Sequence, residues 1–390
     1  MKLLRKNTLV VLAILAVGIV SIYSILFYSD PAKTPCKHLY EGALKPFSSN
    51  SSIDPTIQDI VDSTLKEKMR STNSKKGLIA VQEIATGKIV SIGAESSERN
   101  MKCFDGWAEA FKEWEPGSVI KPLMAATAIN ENKIRPSDEF YNSGVIGFGD
   151  YRLLNAINIP TKKYTYQDMI TKSINIGAVS ALEKLGDDSR TISPQSRETW
   201  HSYLTHSFAF GKPTGAYRFE QSGFIRKPKG GDDIERRYAN MSFGIGMTVT
   251  PVQLLSAYAG IINDGRYVSP QLQSSPGSGT NYRQIVTPAT SKTITQMLIT
   301  ATATSNRSAV RNGYLVGGKS GTGPSADGAG VYQYYKSVGT YIGFIGKNKP
   351  KYVVIARLDE PESEEVLAGV EAARLWAKVT NRIIDNGSFL

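Results

Sequence analysis

The sequence predicts an α/β protein of the α+β kind: one antiparallel sheet flanked by helices, with a mainly helical subdomain between its strands. Three observations carry that expectation. Gly77-Leu78-Ile79-Ala80-Val81-Gln82-Glu83-Ile84 and Lys88-Ile89-Val90-Ser91-Ile92 are strand-like runs on either side of Ala85-Thr86-Gly87, a hairpin signal. Three more such runs, 314–322, 338–346 and 352–358, lie near the other end of the chain, with Lys347-Asn348-Lys349-Pro350 as a turn between the last two. Helical patterns fill the interval and close the chain, so both ends supply strands to a single sheet.

In order, residues 8–27 form an uncharged apolar run of about the length that spans a bilayer, preceded by Lys2, Arg5 and Lys6. An uncleaved anchor over 8–28 is expected, with residues 1–7 in the cytoplasm and the rest exported. A cleavable signal peptide is the alternative; its apolar core would be shorter and end in a small-x-small site, where this run ends Ile25-Leu26-Phe27-Tyr28. Residues 29–74 read as a Pro- and Ser-containing linker with a lead-in helix, and 75–390 as the main domain. Asp54-Pro55 opens the lead-in helix, and Ile57, Ile60, Val61, Thr64, Leu65 and Met69 mark its buried stripe. Beyond residue 130 the chain is expected to be mainly helical to about 185. The Gly-, Pro- and Arg-containing region 187–239 is expected to be a long loop whose insertion-like part is a lid, a partner surface or, preferred over these, a solvent-exposed loop. Helices are expected over 252–262, 287–302 and 364–384, the first stopped by Asn263-Asp264-Gly265.

With 390 residues, 41% of them hydrophobic, the chain can bury a sizeable core. Its net charge of +11 is scattered, with no basic helix and no zinc-ligand spacing. Nucleic acid is therefore not the expected partner; an anionic lipid surface or wall polymer is. Export makes one disulfide possible between Cys36 and Cys103. His38, His201 and His206 are too few and too dispersed for a metal site or a His-based triad, and no cofactor is expected.

The chemistry centres on Glu115-Pro116-Gly117-Ser118-Val119-Ile120-Lys121-Pro122. A helix beginning at Ser118 puts Ser118 and Lys121 on one face, so the amine can reach the hydroxyl. Pro122 is harmless in a first turn, and the apolar run 123–129 belongs to a helix buried all round. A serine hydroxyl needs a neighbour to take its proton, and no histidine is placed to do so. A lysine can serve if burial and a second cation keep its amine partly neutral. Ser-x-x-Lys is a weak pattern, recurring at Ser63 and Lys66, so its weight comes from its company. That company is Ser173-Ile174-Asn175, at a turn or helix start, and Lys319-Ser320-Gly321-Thr322, on an apolar strand.

Ser-x-x-Lys, Ser-x-Asn and Lys-Ser-Gly in this order resemble the signatures of the class B penicillin-binding proteins. So do Phe210-Gly211-Lys212-Pro213-Thr214-Gly215 and the stretch 244–265 with its Gly-Ile-Gly-Met-Thr-Val-Thr-Pro. The likeness runs from about residue 77 to the C-terminus. It implies a β-lactamase/transpeptidase-like fold over 75–390 and a membrane-anchored peptidoglycan D,D-transpeptidase, with its catalytic domain outside the bacterial inner (cytoplasmic) membrane. By the same likeness Ser118 is the nucleophile toward D-Ala-D-Ala stem peptides and β-lactams, Lys121 its base, and Ser173 the proton relay. Asn175 would hold Lys121 and the substrate amide, and Lys319 would converge with Lys121 on the Ser118 hydroxyl. The N–H groups of Ser118 and Thr322 would receive the oxyanion, while Ser320 and Thr322 with Lys319 bind the terminal carboxylate. Gly321 would let the peptide run close along the strand edge. Implied partners are peptidoglycan stem peptides, β-lactams, and a membrane glycosyltransferase or division and elongation proteins. A D,D-carboxypeptidase, a β-lactamase and a non-cross-linking β-lactam sensor or scaffold share these motifs. One departure matters: class B members usually carry a large noncatalytic module after the anchor, and here only the segment to about Asn73 is available, which leaves the partner complex open.

Overall fold

Asp54 accepts hydrogen bonds from the N–H groups of Thr56 (2.9 Å) and Ile57 (3.1 Å), so helix α1 (Pro55–Thr72) starts where the acidic cap and proline place it. The computed structural model describes residues 51–97, 106–187, 191–273, 282–326, 332–362 and 367–387. The expected anchor and the cysteines at 36 and 103 lie outside those residues. Among the described residues no helix is long and apolar enough to cross a membrane.

Strands β1 (Lys76–Glu83) and β2 (Ile89–Ser96) form the expected hairpin. A 3₁₀ turn, Gly117–Ile120, then leads into helix α2 (Lys121–Asn130). The α-helix therefore begins at Lys121, later than the sequence pattern implied. The expected helical stretch after it also needs correction, because it holds two short antiparallel ribbons. Strand β3 (Glu139–Asn142) pairs with β6 (Lys162–Thr165), and between them β4 (Val145–Phe148) pairs with β5 (Tyr151–Leu154). Each strand has four residues and buries at most two of them, such as Phe140, Leu153 and Tyr164, and Val145–Phe148 buries none. Such strands carry no apolar run to announce them.

Helices α3 (Tyr166–Thr171) and α4 (Asn175–Lys184) follow. Region 187–239 is only in part the exposed loop expected: residues 211–233 are irregular and mostly exposed, but the stretch before them is folded and buried. Ser193 caps helix α5 (Pro194–Ser202), and Trp200, Leu204, Phe208 and Phe210 are fully enclosed. After helix α6 (Ile234–Met241), helix α7 (Pro251–Ile262) opens with a reciprocal Thr250–Gln253 capping box and is buried at every position. A minimal ribbon, β7 (Arg266–Tyr267) with β8 (Arg283–Gln284), precedes helix α8 (Pro288–Ser305). Strands β9 (Leu315–Ala326), β10 (Tyr332–Gly346) and β11 (Pro350–Asp359) and helix α9 (Ala368–Asp385) complete the chain.

The sheet order is β2-β1-β11-β10-β9, with neighbours antiparallel throughout, so the first and last parts of the chain close one sheet. On one face α1 and α9 cover Ile79, Val81, Val354 and Ala356, and Trp376 donates its indole N–H to the Val354 carbonyl at 2.8 Å. On the other face α7 meets β1, where the Ser256 hydroxyl donates to Gln82 Oε1 at 3.1 Å. Strand β9 is an edge, and its free side is left for the site.

Candidate active site

In a 3₁₀ turn, residues three apart eclipse one another, which stacks the side chains of Ser118 and Lys121. The turn is held on three sides. Gly117, at φ +61°, donates its N–H to Gly244 O at 3.0 Å. Any Cβ on Gly244 would lie 2.2 Å from the Gly117 carbonyl oxygen, so the two glycine backbones touch. Glu115 Oε1 accepts from the Gly246 N–H at 2.7 Å, and the buried Tyr258 hydroxyl donates to Val119 O at 2.6 Å. From the sheet side Gly321 packs against Pro116 and Val119, its missing Cβ 3.1 Å from Val119 Cγ1 and 3.2 Å from Pro116 O. Gly321 therefore makes room for the nucleophile turn, a tighter demand than the open strand edge expected from sequence.

The Lys121 side chain is fully buried, and its Nζ has four oxygen neighbours: Ser118 Oγ at 2.8 Å, Ser173 O at 2.6 Å, Ser173 Oγ at 3.1 Å and Asn175 Oδ1 at 2.7 Å. Burial, then the charge of Lys319, holds its pKa well below the usual lysine range. A neutral amine has two hydrogens and one lone pair. The Ser173 carbonyl and the Asn175 carbonyl can only accept, so they take the hydrogens. The lone pair is left for a hydroxyl, and the closer one is that of Ser118.

Asn175 is oriented by its other end, where Nδ2 donates to Leu154 O at 2.8 Å. Asn155 seats the helix start, its Oδ1 accepting from the N–H groups of Asn175 (2.9 Å) and Ile176 (3.3 Å) while its Nδ2 donates to the buried Asn142 at 2.9 Å. Ser173 adopts φ +59°, a left-handed conformation that few non-glycine residues take and that turns the chain sharply between α3 and α4. In that turn its carbonyl and hydroxyl both reach Lys121.

Lys319 is 3% exposed, and burial brings its pKa down to about 7. It donates to Ser173 Oγ at 3.0 Å and to Ser320 O at 2.6 Å. The oxygen the two lysines share is thus the Ser173 hydroxyl, where the sequence reading had them converge on Ser118. Ser118, Ser173, Ser320, Gly321 and Thr322 line a cleft of about 760 Å³ together with Ile157, Pro160, Tyr164, Leu367 and Val370. Thr322 Oγ1 accepts from the Gly369 N–H at 3.2 Å, which leaves its hydroxyl hydrogen available.

Sequence reasoning missed Asn142, Asn155, Tyr258, Glu115 and Gly244 as supports of this site. Glu115 lies within the motif around Ser118, and Gly244 and Tyr258 within the 244–265 signature, but only the Gly-x-Gly at 244–246 suggested how it acts, as a place of close backbone approach. The Phe210–Gly215 patch is structural: the N–H and hydroxyl of Thr214 and the N–H of Gly215 converge on the carboxylate of Glu220.

The profile of the family described as "Penicillin binding protein transpeptidase domain" matches residues 77–383, and the chain belongs to that family. It is similar to the probable peptidoglycan D,D-transpeptidase PenA of Neisseria flavescens, 26% identical over 350 residues that cover 84% of this chain and 80% of that one. With stage V sporulation protein D of Bacillus subtilis it shares 26% identity over 84% of its length, spanning 52% of that relative. Most of the other similar curated relatives are likewise about twice as long as the part matched. Its fold is similar to the apo transpeptidase domain of Burkholderia pseudomallei penicillin-binding protein 3, with a TM-score of 0.73 at 23% identity, covering 87% of this chain and 97% of that one.

Proposed function

We propose that the chain is a class B peptidoglycan D,D-transpeptidase in which Ser118 attacks the D-Ala-D-Ala carbonyl of a stem peptide. One observation carries this reading: a buried, charge-depressed Lys121 whose lone pair is left to the Ser118 hydroxyl. Lys121 takes the Ser118 proton as the Oγ–C bond forms and the C–N bond to the terminal D-alanine breaks. Ser173, within hydrogen-bonding distance of both amines, passes a proton to the leaving nitrogen. An amine of a second stem then attacks the ester, forms the new amide and returns Ser118 to its hydroxyl form. The N–H groups of Ser118 and Thr322 stabilise the oxyanion, supported by the close approach of Gly117 to the Thr322 carbonyl. Asn175 holds Lys121 and the substrate amide. Lys319, Ser320 and Thr322 bind the terminal carboxylate, and β-lactams, which mimic the donor, acylate the same serine.

In this reading residues 8–28 anchor the chain in the cytoplasmic membrane and 75–390 work outside it, alongside a membrane glycosyltransferase or division and elongation proteins. The test is a product assay with a pentapeptide donor. Cross-linked product together with released D-alanine when an amine acceptor is present supports transpeptidation. Release into water alone regardless of acceptor would make it a carboxypeptidase, and rapid turnover of penicillin a β-lactamase.

A further inference from the structure

The first described residues, from Ser51, lie at the end of the sheet away from the cleft. Ser51 bridges Gln273, and the Ser52 N–H donates to Leu272 O at 3.0 Å. The β1–β2 turn sits beside it, with Lys88 bridging Gln271 and the Gln271 amide donating to Thr86 O at 2.7 Å. The β10–β11 turn is tied in by the Ile84 N–H, 2.9 Å from Lys351 O, and the end of α7 by Asn263, whose Nδ2 donates to Ile84 O at 3.5 Å. This end is basic: Lys88, Lys347, Lys349, Arg266, Arg283 and Lys212 crowd it, and among the described residues none of them is ion-paired to a carboxylate. The nearby acids are fewer: Asp54, engaged as the α1 cap, Glu83, which accepts from Thr86, Glu220, which accepts from Thr214 and Gly215, and Asp264.

Two of the cations lie over tyrosine rings, Arg266 4.9 Å from Tyr282 and Arg283 4.8 Å from Tyr267. Lys212, Tyr267, Tyr282 and Arg283 line one indentation of about 440 Å³, and Tyr282 is 52% exposed. Arginine and tyrosine, each an apolar body with a polar tip, suit the boundary between headgroups and water.

We propose that this basic, tyrosine-bearing end of the sheet rests on the anionic headgroups of the bilayer. The apolar run 8–27 on the same chain leads into the domain at Ser51, within this surface, and the sign of the charge matches acidic lipid. Lys319–Thr322 pair with β10 four to seven residues along from Gly346 at the basic end, so the substrate site stands roughly 20 Å further from the membrane, facing the wall. The contact takes the proposed anchor as what brings the surface near the lipid; the chemistry at Ser118 plays no part in it.

The test is hydrogen exchange on the full chain reconstituted in phosphatidylcholine vesicles with and without phosphatidylglycerol. Amides of 84–88, 265–268 and 346–349 are expected to exchange several-fold more slowly with the anionic lipid, while 139–148 stay unchanged. The protection should vanish in about 1 M salt, where the screening length falls to about 3 Å, and in the triple variant Arg266→Glu, Lys347→Glu, Lys349→Glu. Penicillin labelling of that variant at the wild-type level would show that it is folded and that the transpeptidase reading is unaffected. Equal exchange in both vesicle types overturns the contact. Protection that instead needs a soluble acidic wall polymer added to phosphatidylcholine vesicles overturns it in favour of that polymer. Failure to float with either vesicle removes the anchor and the contact together.

Discussion

The amines of Lys121 and Lys319 both lie within hydrogen-bonding distance of one oxygen, the hydroxyl of Ser173, at 3.1 and 3.0 Å. Two buried amines on one hydroxyl cannot both be comfortably charged, and each is depressed below the ordinary lysine value of 10.5. The mechanism needs Lys121 neutral, so the limiting rate of penicillin acylation should rise with pH through the Lys121 ionisation. The Lys319 charge disfavours protonated Lys121; Lys319→Met removes it and should move that limb to higher pH. A limb that stays in place or moves toward acid would show that the two amines are not coupled.

The same depression has a consequence for stability. Lys319 titrates near 7 in the fold and near 10.5 in the unfolded chain, so between those values the unfolded state binds more protons. Stability therefore climbs as pH rises from about 7 to about 10.5, and below 7 the penalty is fully present. Lys319→Met should stabilise the protein at pH 7, and its advantage over wild type in urea midpoints should shrink toward pH 10.5.

Asn155 touches no substrate, yet it fixes where α4 begins and so where Asn175 meets Lys121. Asn155→Ala should cost about 1 kcal/mol of stability, as a lost helix cap does, and lower the acylation rate as well. Asn155→Asp, which still accepts both N–H groups, should restore most of the stability in thermal melts. Loss of stability without loss of acylation would leave Asn155 a purely structural residue.

Gly321→Ala probes the contact between β9 and the nucleophile turn. With Val119 Cγ1 3.1 Å from the new methyl carbon, the strand or the turn must shift. Overpacking of this kind costs about 1–3 kcal/mol, and acylation should slow because Ser118 moves relative to Thr322. Unchanged melting and unchanged acylation would show that the turn yields freely.

Much of this architecture could be read in advance where a local rule coincides with the global one. Asp54-Pro55 and Thr250-Pro251 announce their helices because a cap and a proline satisfy the first turn without tertiary help. Strands β1, β10 and β11 announce themselves because burial on both faces demands continuous apolar runs. The ribbons β3–β6 and β4–β5 and helix α5 were missed because their stability comes from a few alternate or isolated side chains, such as Phe140 and Trp200, pressed against distant segments. In the site, the motifs named Ser118, Lys121, Ser173, Asn175 and Lys319. Nothing in them revealed that Ser173 adopts a left-handed conformation, or that Asn142 and Asn155 brace the helix behind it. Those features depend on where separate stretches meet in space, which no short pattern encodes.

The most direct measurement is peptide mapping by mass spectrometry after brief exposure to penicillin. The account predicts one penicilloyl adduct on the peptide containing Ser118, slowed by about a hundredfold or more in Lys121→Ala, as for a lost general base, and absent in a folded Ser118→Ala protein. An adduct on another residue, or equal labelling of wild type and Ser118→Ala, would contradict it.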